Sequence, residues 1–232
     1  MIKNILAIAA FVSLGACATP YVATPYERSA HNVRHVSVVD DALPEKAIAY
    51  EVASAGSNFG LIGALVDAGI QASRREAVND ALISINYDAE AMLENRMASE
   101  LSSKGYNIAP MTAHTREKRE LLATYPTTSG TDALLDVSVD YYGYMSAGMG
   151  QPFRPSVSAK VRLVKASDNS TIMENIIVYN PLNAQAGTIT LTPNPEYDFK
   201  NREELLQDPQ RLADGITDAL NQVATTTIRL LQ

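Results

Sequence analysis

Side chains able to do metal or nucleophilic chemistry are few in this chain of 232 residues: three histidines, His31, His35 and His114, and one cysteine, Cys17. A zinc site needs three or four His, Cys or carboxylate ligands at matching spacings. His31 and His35 would share a helix face, but they fall where an extended segment becomes a strand, and no cluster of partners is spaced beside them. The pattern therefore predicts solvated histidines, no metal and no cofactor. The sequence contains no G-x-S-x-G, no H-E-x-x-H and no G-x-x-x-x-G-K-[ST]. Gly60, Gly63 and Gly69 lack the strand–turn–helix setting and the later acid of a dinucleotide loop. Asp40-Asp41 is an acidic pair at a strand end and reads as facing water. No constellation here is catalytic, and the chain reads as a non-enzyme.

Cys17 has a context of its own. "MIKNILAIAAFVSLGA", residues 1–16, has a basic start at Lys3, an apolar run from Ile5 to Val12 and small residues before the break, the three parts of a secretory signal. The run is too short to span a bilayer. Leu14-Gly15-Ala16-Cys17 resembles the bacterial lipobox, in which the cysteine becomes the acylated first residue of the mature protein. That resemblance implies a membrane anchor of three acyl chains, each buried methylene contributing about 0.8 kcal/mol. Ala18 follows Cys17 in place of the Asp that retains many lipoproteins at the inner membrane. The expected location is thus the periplasmic face of the outer membrane. The alternative is an ordinary signal, or a soluble chain, with an incidental cysteine. Either way a single cysteine forms no internal disulfide.

The elements around these residues follow from periodicity. Residues 18–32, "ATPYVATPYERSAHN", carry Thr-Pro-Tyr twice and no apolar period, and read as an extended tether. Residues 33–232 are then one domain, with signal (1–16) and lipidated tether (17–32) ahead of it. "VRHVSVVDD" (33–41) and "AIAYEVAS" (47–54) predict two strands joined by a turn at Pro44. A helix over 86–106 has Ala89, Met92, Leu93, Met97 and Leu101 on one face, a cap at Asn86 or Asp88 and a stop at Gly105. Residues 106–110 read as a short strand and 114–126 as a short charged helix ending at Pro126. Over 131–148, Leu135, Val137, Val139 and Tyr141 alternate with Asp136, Ser138, Asp140 and Tyr142, the pattern of a half-buried strand. Residues 155–166 and 171–180 form a hairpin about the turn 167–170. Asn169-Ser170-Thr171 at its tip fits a glycosylation acceptor, which has no force in a bacterial lipoprotein. After a loop over 181–201 with one alternating run at 187–192, the chain closes in a helix. Asp208 caps it, Pro209 opens it, and Leu212, Ile216, Leu220, Val223, Ile228 and Leu231 are its buried face. The expectation is an α+β fold: one sheet of about five strands, helices packed on it, an antiparallel meander and a C-terminal helix.

From about residue 86 to 180, the succession "AEAMLENRMASELSSKGYNIAP", "REKRELL", "TDALLDVSVDYYGY" and "SAKVRLVKASDNSTIMENIIV" resembles a known periplasmic domain. It is shared by the curli-secretion lipoproteins, the amino-terminal domain of TolB and lipoprotein activators of cell-wall synthases. The resemblance implies a scaffold or assembly factor that binds an envelope protein, or an oligomeric secretion-channel component, or a synthase activator. A curli-type pore needs paired alternating strands of about nine to eleven residues. "MSAGMGQPFRPS" (145–156) and the run at 187–192 are short for that, which disfavours a pore. With formal charge −7 and no clustered Lys and Arg, nucleic acid is excluded as a general partner.

Two stretches are candidate interaction surfaces. Tyr142, Tyr144, Met145 and Phe153, in the glycine-loosened segment 140–155, would make an aromatic patch if exposed; the alternative is that the tyrosines pack under a helix with their hydroxyls bonded. "SNFGLIGALVDAGIQASR" (57–74) predicts a helix with a wide apolar face including Leu61, Leu65 and Ile70. Gly60, Ala64, Ala68 and Ala72 form a small-residue stripe on it. Its fourteen apolar-rich residues reach about 21 Å, short of a bilayer, and Asp67 lies at the midpoint. Core packing, self-association into a homo-oligomer and a membrane-resting face stay open.

Overall fold

The computed structural model describes residues 21–52, 60–109, 115–126, 129–182 and 184–232, and for 60–71 the backbone alone. Cys17, the lipobox residues 14–16 and His114 lie outside the described residues, as do the side chains of Leu61, Leu65 and Ile70.

Among the described residues, five helices and seven strands make a mixed α/β architecture. In chain order these are α1 (Arg28–His31), β1 (His35–Val38), β2 (Ile48–Glu51), α2 (Gly60–Ser84), α3 (Ala89–Ser103), β3 (Asn107–Ile108) and β4 (Ala133–Ser146). Then follow β5 (Phe153–Lys165), β6 (Thr171–Tyr179), β7 (Ile189–Leu191), a 3₁₀ turn at Pro195–Tyr197, α4 (Arg202–Gln207) and α5 (Pro209–Arg229). The strands form one sheet in the order β3-β1-β4-β5-β6-β7, with β2 also on β4. Its two short edges, β3 and β7 with two and three residues, fall in the short strand read at 106–110 and in the alternating run at 187–192, and bring the sheet to seven strands.

β1 and β2 are not a hairpin. Both run parallel to β4, β1 along its first half (Val36 beside Ala133) and β2 along its second (Ile48 beside Gly143), so they lie end to end on one side of it. Gly143 makes this approach feasible: its φ is +133°, and a β-carbon there would overlap the backbone of Ile48. The β4–β5–β6 meander is antiparallel as the alternation predicts.

One face of the sheet carries Leu135, Val137, Val139, Val157, Ala159, Val161, Leu163 and Ile177, all at most 1% exposed beneath the helices. Against it α5 lays Leu212, Ile216, Leu220, Val223 and Ile228, none more than 1% exposed. At about 1.5–3 kcal/mol per buried aliphatic side chain, this stripe is what docks the helix. The α5 start is as expected: Asp208 accepts from the Arg211 amide and Pro209 opens the helix. Asp88 caps α3 by accepting from Ala91, and Gly105 with φ +80° ends it.

Two segments depart from expectation. Residues 115–126 contain no helix, because their polar groups are drawn into tertiary bonds described below. Residues 24–32, read as tether, lie on the body. Thr24 exchanges both backbone hydrogen bonds with Glu174 at the β6 edge, at 2.9 and 3.0 Å. Tyr26 is buried against His31, and the Arg28 guanidinium sits 4.9 Å from the centre of the Tyr106 ring.

Candidate functional site

The second face of β4 is where charge is buried. Asp136 and Ser138 are fully buried rather than solvated. Arg116, from the irregular segment, brings Nη2 to 2.5 Å from Asp136 Oδ1, with both side chains at most 1% exposed. The second Asp136 oxygen accepts from the Leu122 amide (2.8 Å) and the Tyr125 hydroxyl (2.9 Å). Arg116 also donates through Nε to the Asp41 carbonyl and through Nη1 to the Glu120 carbonyl. A buried carboxylate is tolerated only when it is paired and hydrogen-bonded, and here both oxygens have donors, one on Oδ1 and two on Oδ2. These bonds compete with helical hydrogen bonding and hold 115–126 open.

Asp41 continues the network toward the surface. It accepts from the Arg116 amide at 2.6 Å and from Arg119 Nη1 at 2.8 Å. Burial alone would raise its pKa, but these bonds and the two guanidinium charges bring it below the usual carboxylate range.

Beside this network lies an open cleft of about 780 Å³ between the β1–β2 connection, the α2–α3 turn and residues 115–119. Asp40, Asp41, Asp88, Glu90, Arg119 and Tyr142 are among its lining residues. Oxygens of Asp40, Glu90 and Glu94 lie within 4.8 Å of one another, the one such acidic group among the described residues. A hard cation takes six or more oxygens, and the Glu90 carboxylate is already engaged: its two oxygens accept from the amides of Ala42 and Leu43, each at 2.8 Å. Glu90 thereby ties the β1–β2 connection to α3. Glu94 is pushed up to about 7 by burial, by its hydrogen bond with Asp40 and by the charges of Glu90, Asp40 and Asp88. The arrangement can take up a proton near neutrality. Glu90 and Glu94, four apart on a clear helix, are the only signal of it in the sequence, since Asp40 joins them through the tertiary fold.

The sequence-predicted aromatic patch is not a surface. Tyr142, Tyr144, Met145 and Phe153 are all at most 6% exposed. The strand register slips between Val139 and Tyr141, so the inward set passes from Leu135, Val137 and Val139 to Tyr142 and Tyr144, while Tyr141 moves to the other face. Simple alternation misses that bulge. Tyr144 meets Phe199 edge-on, 5.4 Å between ring centres, and its hydroxyl donates to the Leu212 carbonyl on α5. The Arg211 guanidinium lies over the Phe199 ring, 4.4 Å from its centre. The tyrosines are thus packed under a helix, and Tyr142 is pushed up to about 12 by burial and then by Tyr87 and Glu90.

His35 lies on the surface, its Nδ1 3.3 Å from Asp132 and its Nε2 3.3 Å from Asn107 Nδ2, while His31 stacks on Tyr26. The two histidines are not brought to a common site. Among the described residues no helix is long and apolar enough to cross a membrane.

Fold and cleft define a single-sheet mixed α/β domain whose buried charges hold its connections in place. No family model matches the chain, and no curated protein matches it. Solved structures give distant likenesses. A protein of Xanthomonas campestris superposes with TM-score 0.37 at 15% identity; the match covers 61% of this chain and 60% of that one, so it spans about three fifths of that relative. A PelC dodecamer from Paraburkholderia phytofirmans gives TM-score 0.39 at 11% identity, covering 93% of this chain and 96% of that one. A lipoprotein of Neisseria meningitidis gives 0.33 at 18% identity, covering 66% of this chain and 88% of that one.

Proposed function

We propose that this chain is a non-enzymatic envelope protein, held by acyl chains on Cys17 at the periplasmic face of the outer membrane. It acts there as a scaffold or assembly factor by binding another envelope protein or further copies of itself. The observation that carries this reading is Leu14-Gly15-Ala16-Cys17 behind a short apolar run, with the chain's lone cysteine at the acylation position. Three acyl chains are a lasting anchor. The reading of a non-enzyme is supported by the engagement of the charged cleft residues Asp41, Glu90 and Arg116, which hold backbone in place.

The test is metabolic labelling with a palmitate analogue, followed by crosslinking in cells and mass spectrometry of the conjugates. The native chain takes up the label, Cys17→Ser does not, and crosslinks recover one envelope partner or a ladder of the chain itself. Label retained by Cys17→Ser overturns the anchor; crosslinks spread evenly over abundant proteins overturn the scaffold.

A further inference from the structure

The segment between the anchor and the domain is docked rather than free. Were residues 18–32 a loose tether, sixteen Cα steps from Cys17 to Val33 would let the body stand roughly 55 Å from the lipid. Instead Thr24 is paired with Glu174 on β6, Tyr26 is 8% exposed, Arg28 covers the Tyr106 ring and Val33 is 5% exposed. The contact reaches back to Tyr21, whose carbonyl lies so close to Gly187 that a β-carbon there would overlap it. Tyr21 also shares a shallow pocket with Lys160, Glu174 and Ile176 on the sheet face away from the helices. Only four Cα steps then separate Cys17 from a fixed point on the body, a reach of about 14 Å at most.

The direction is set as well. Thr24 pairs antiparallel to β6, so the chain read backward from Thr24 to Tyr21 runs toward the β7 side, where Gly187 precedes β7. The loop 184–188 therefore stands beside the last fixed residue before the anchor.

We propose that residues 21–33 are a docked leash that holds the body against the bilayer carrying the Cys17 acyl chains, with the loop 184–188 and the shallow pocket beside Tyr21 turned toward the lipid. This rests on the anchor reading above. It makes the partner there a lipid surface, and it leaves the cleft lined by Asp40 and Glu90, beside the β1–β2 connection at the opposite edge of the sheet from β6 and β7, turned away.

Acylation leaves the native chain without a free thiol, which makes the test selective. Gln185→Cys and Ile83→Cys each introduce one at an exposed position, beside the leash and on the rim of the far cleft. Each full-length chain is labelled in isolated membranes with an environment-sensitive thiol fluorophore and challenged with lipids bearing a headgroup nitroxide. The expected result is severalfold stronger quenching at 185 than at 83. A twelve-residue Gly/Ser insertion after Ala18, which leaves every docked contact intact, brings the two to the same low level. Equal quenching at both positions, or stronger quenching at 83, overturns the docked leash while leaving the anchor standing. An insertion without effect on position 185 overturns it too. Labelling of the unmodified native chain, with release from membranes on washing, defeats the anchor reading and the leash together.

Discussion

Arg116 and Asp136 meet at 2.5 Å in a place where neither is more than 1% exposed, and two connections of the fold hang on the pair: Asp41 between β1 and β2, and Glu120 and Leu122 in 115–126, each bond one of the two side chains through the backbone. A buried ion pair is costly to break from one side, because the remaining charge keeps its desolvation penalty without its partner. Asp136→Asn is expected to lower unfolding free energy by about 3–5 kcal/mol. Arg116→Met combined with Asp136→Leu is expected to lose less than the sum of the two single changes, because neither charge is left buried without its partner, although Asp41, Glu120, Leu122 and Tyr125 lose theirs. Urea denaturation of the single and double variants checks this; a loss in the double variant equal to the sum of the two single losses would show that the pair does not act as a unit.

Gly215 is where α5 admits the Tyr144 hydroxyl. A β-carbon there would overlap that hydroxyl and crowd Tyr197 and Pro155. Alanine in place of helical glycine ordinarily stabilises by about 1 kcal/mol. Overpacking of a filled core costs about 1–3 kcal/mol, so the overlap wins and Gly215→Ala is destabilising. Adding Tyr144→Phe relieves part of the loss, leaving the contacts to Tyr197 and Pro155. Thermal melts of the single and double variants read the difference.

Glu94 sets a pH dependence of defined sign. Its pKa is 4.5 ordinarily and about 7 in the folded chain, raised by burial, by its bond with Asp40 and by Glu90, Asp40 and Asp88. The folded state therefore binds the proton more tightly than the unfolded one. The stabilisation is complete below about pH 4.5 and is lost as pH rises through about 7. Asp41, shifted the other way, loses its contribution at acid pH. Between pH 5 and 7.5 the native chain should lose stability relative to Glu94→Gln, whose urea midpoint should change less over that range. Parallel profiles for the two chains would count against the assignment.

Asn79 fastens α2 to the strand beside it. Its Oδ1 accepts from the Ala47 amide and its Nδ2 donates to the Ala47 carbonyl, both at 2.9 Å and buried. Asn79→Leu leaves two buried backbone groups without partners, at about 1–3 kcal/mol each. Amide exchange at Ala47 should accelerate strongly in that variant while exchange in β5 changes only as far as global stability falls. Unchanged protection at Ala47 would refute the fastening.

Periodicity alone determined the elements that bury one continuous stripe. The α5 stripe from Leu212 to Ile228, the caps at Asp88 and Asp208, and the β5–β6 hairpin all follow from local pattern, because burial on one face imposes a repeat of 3.6 or 2 and caps are local chemistry. The absence of a catalytic motif and the context of Cys17 were also in the sequence. The tertiary structure decided what depends on a partner distant in the chain. Asp136 and Ser138 looked like the wet side of a strand until 115–126 folded over them, and that segment looked helical until Asp136 and Asp41 took its polar groups. One extra residue near Asp140 turned Tyr142 and Tyr144 from a surface into core. A stretch with no period of its own, residues 24–32, became part of the body because the edge at Glu174 and the ring of Tyr106 offered it partners. Repeats are written residue by residue, whereas a bulge, a buried charge or a docked leash is chosen by what comes to lie against it.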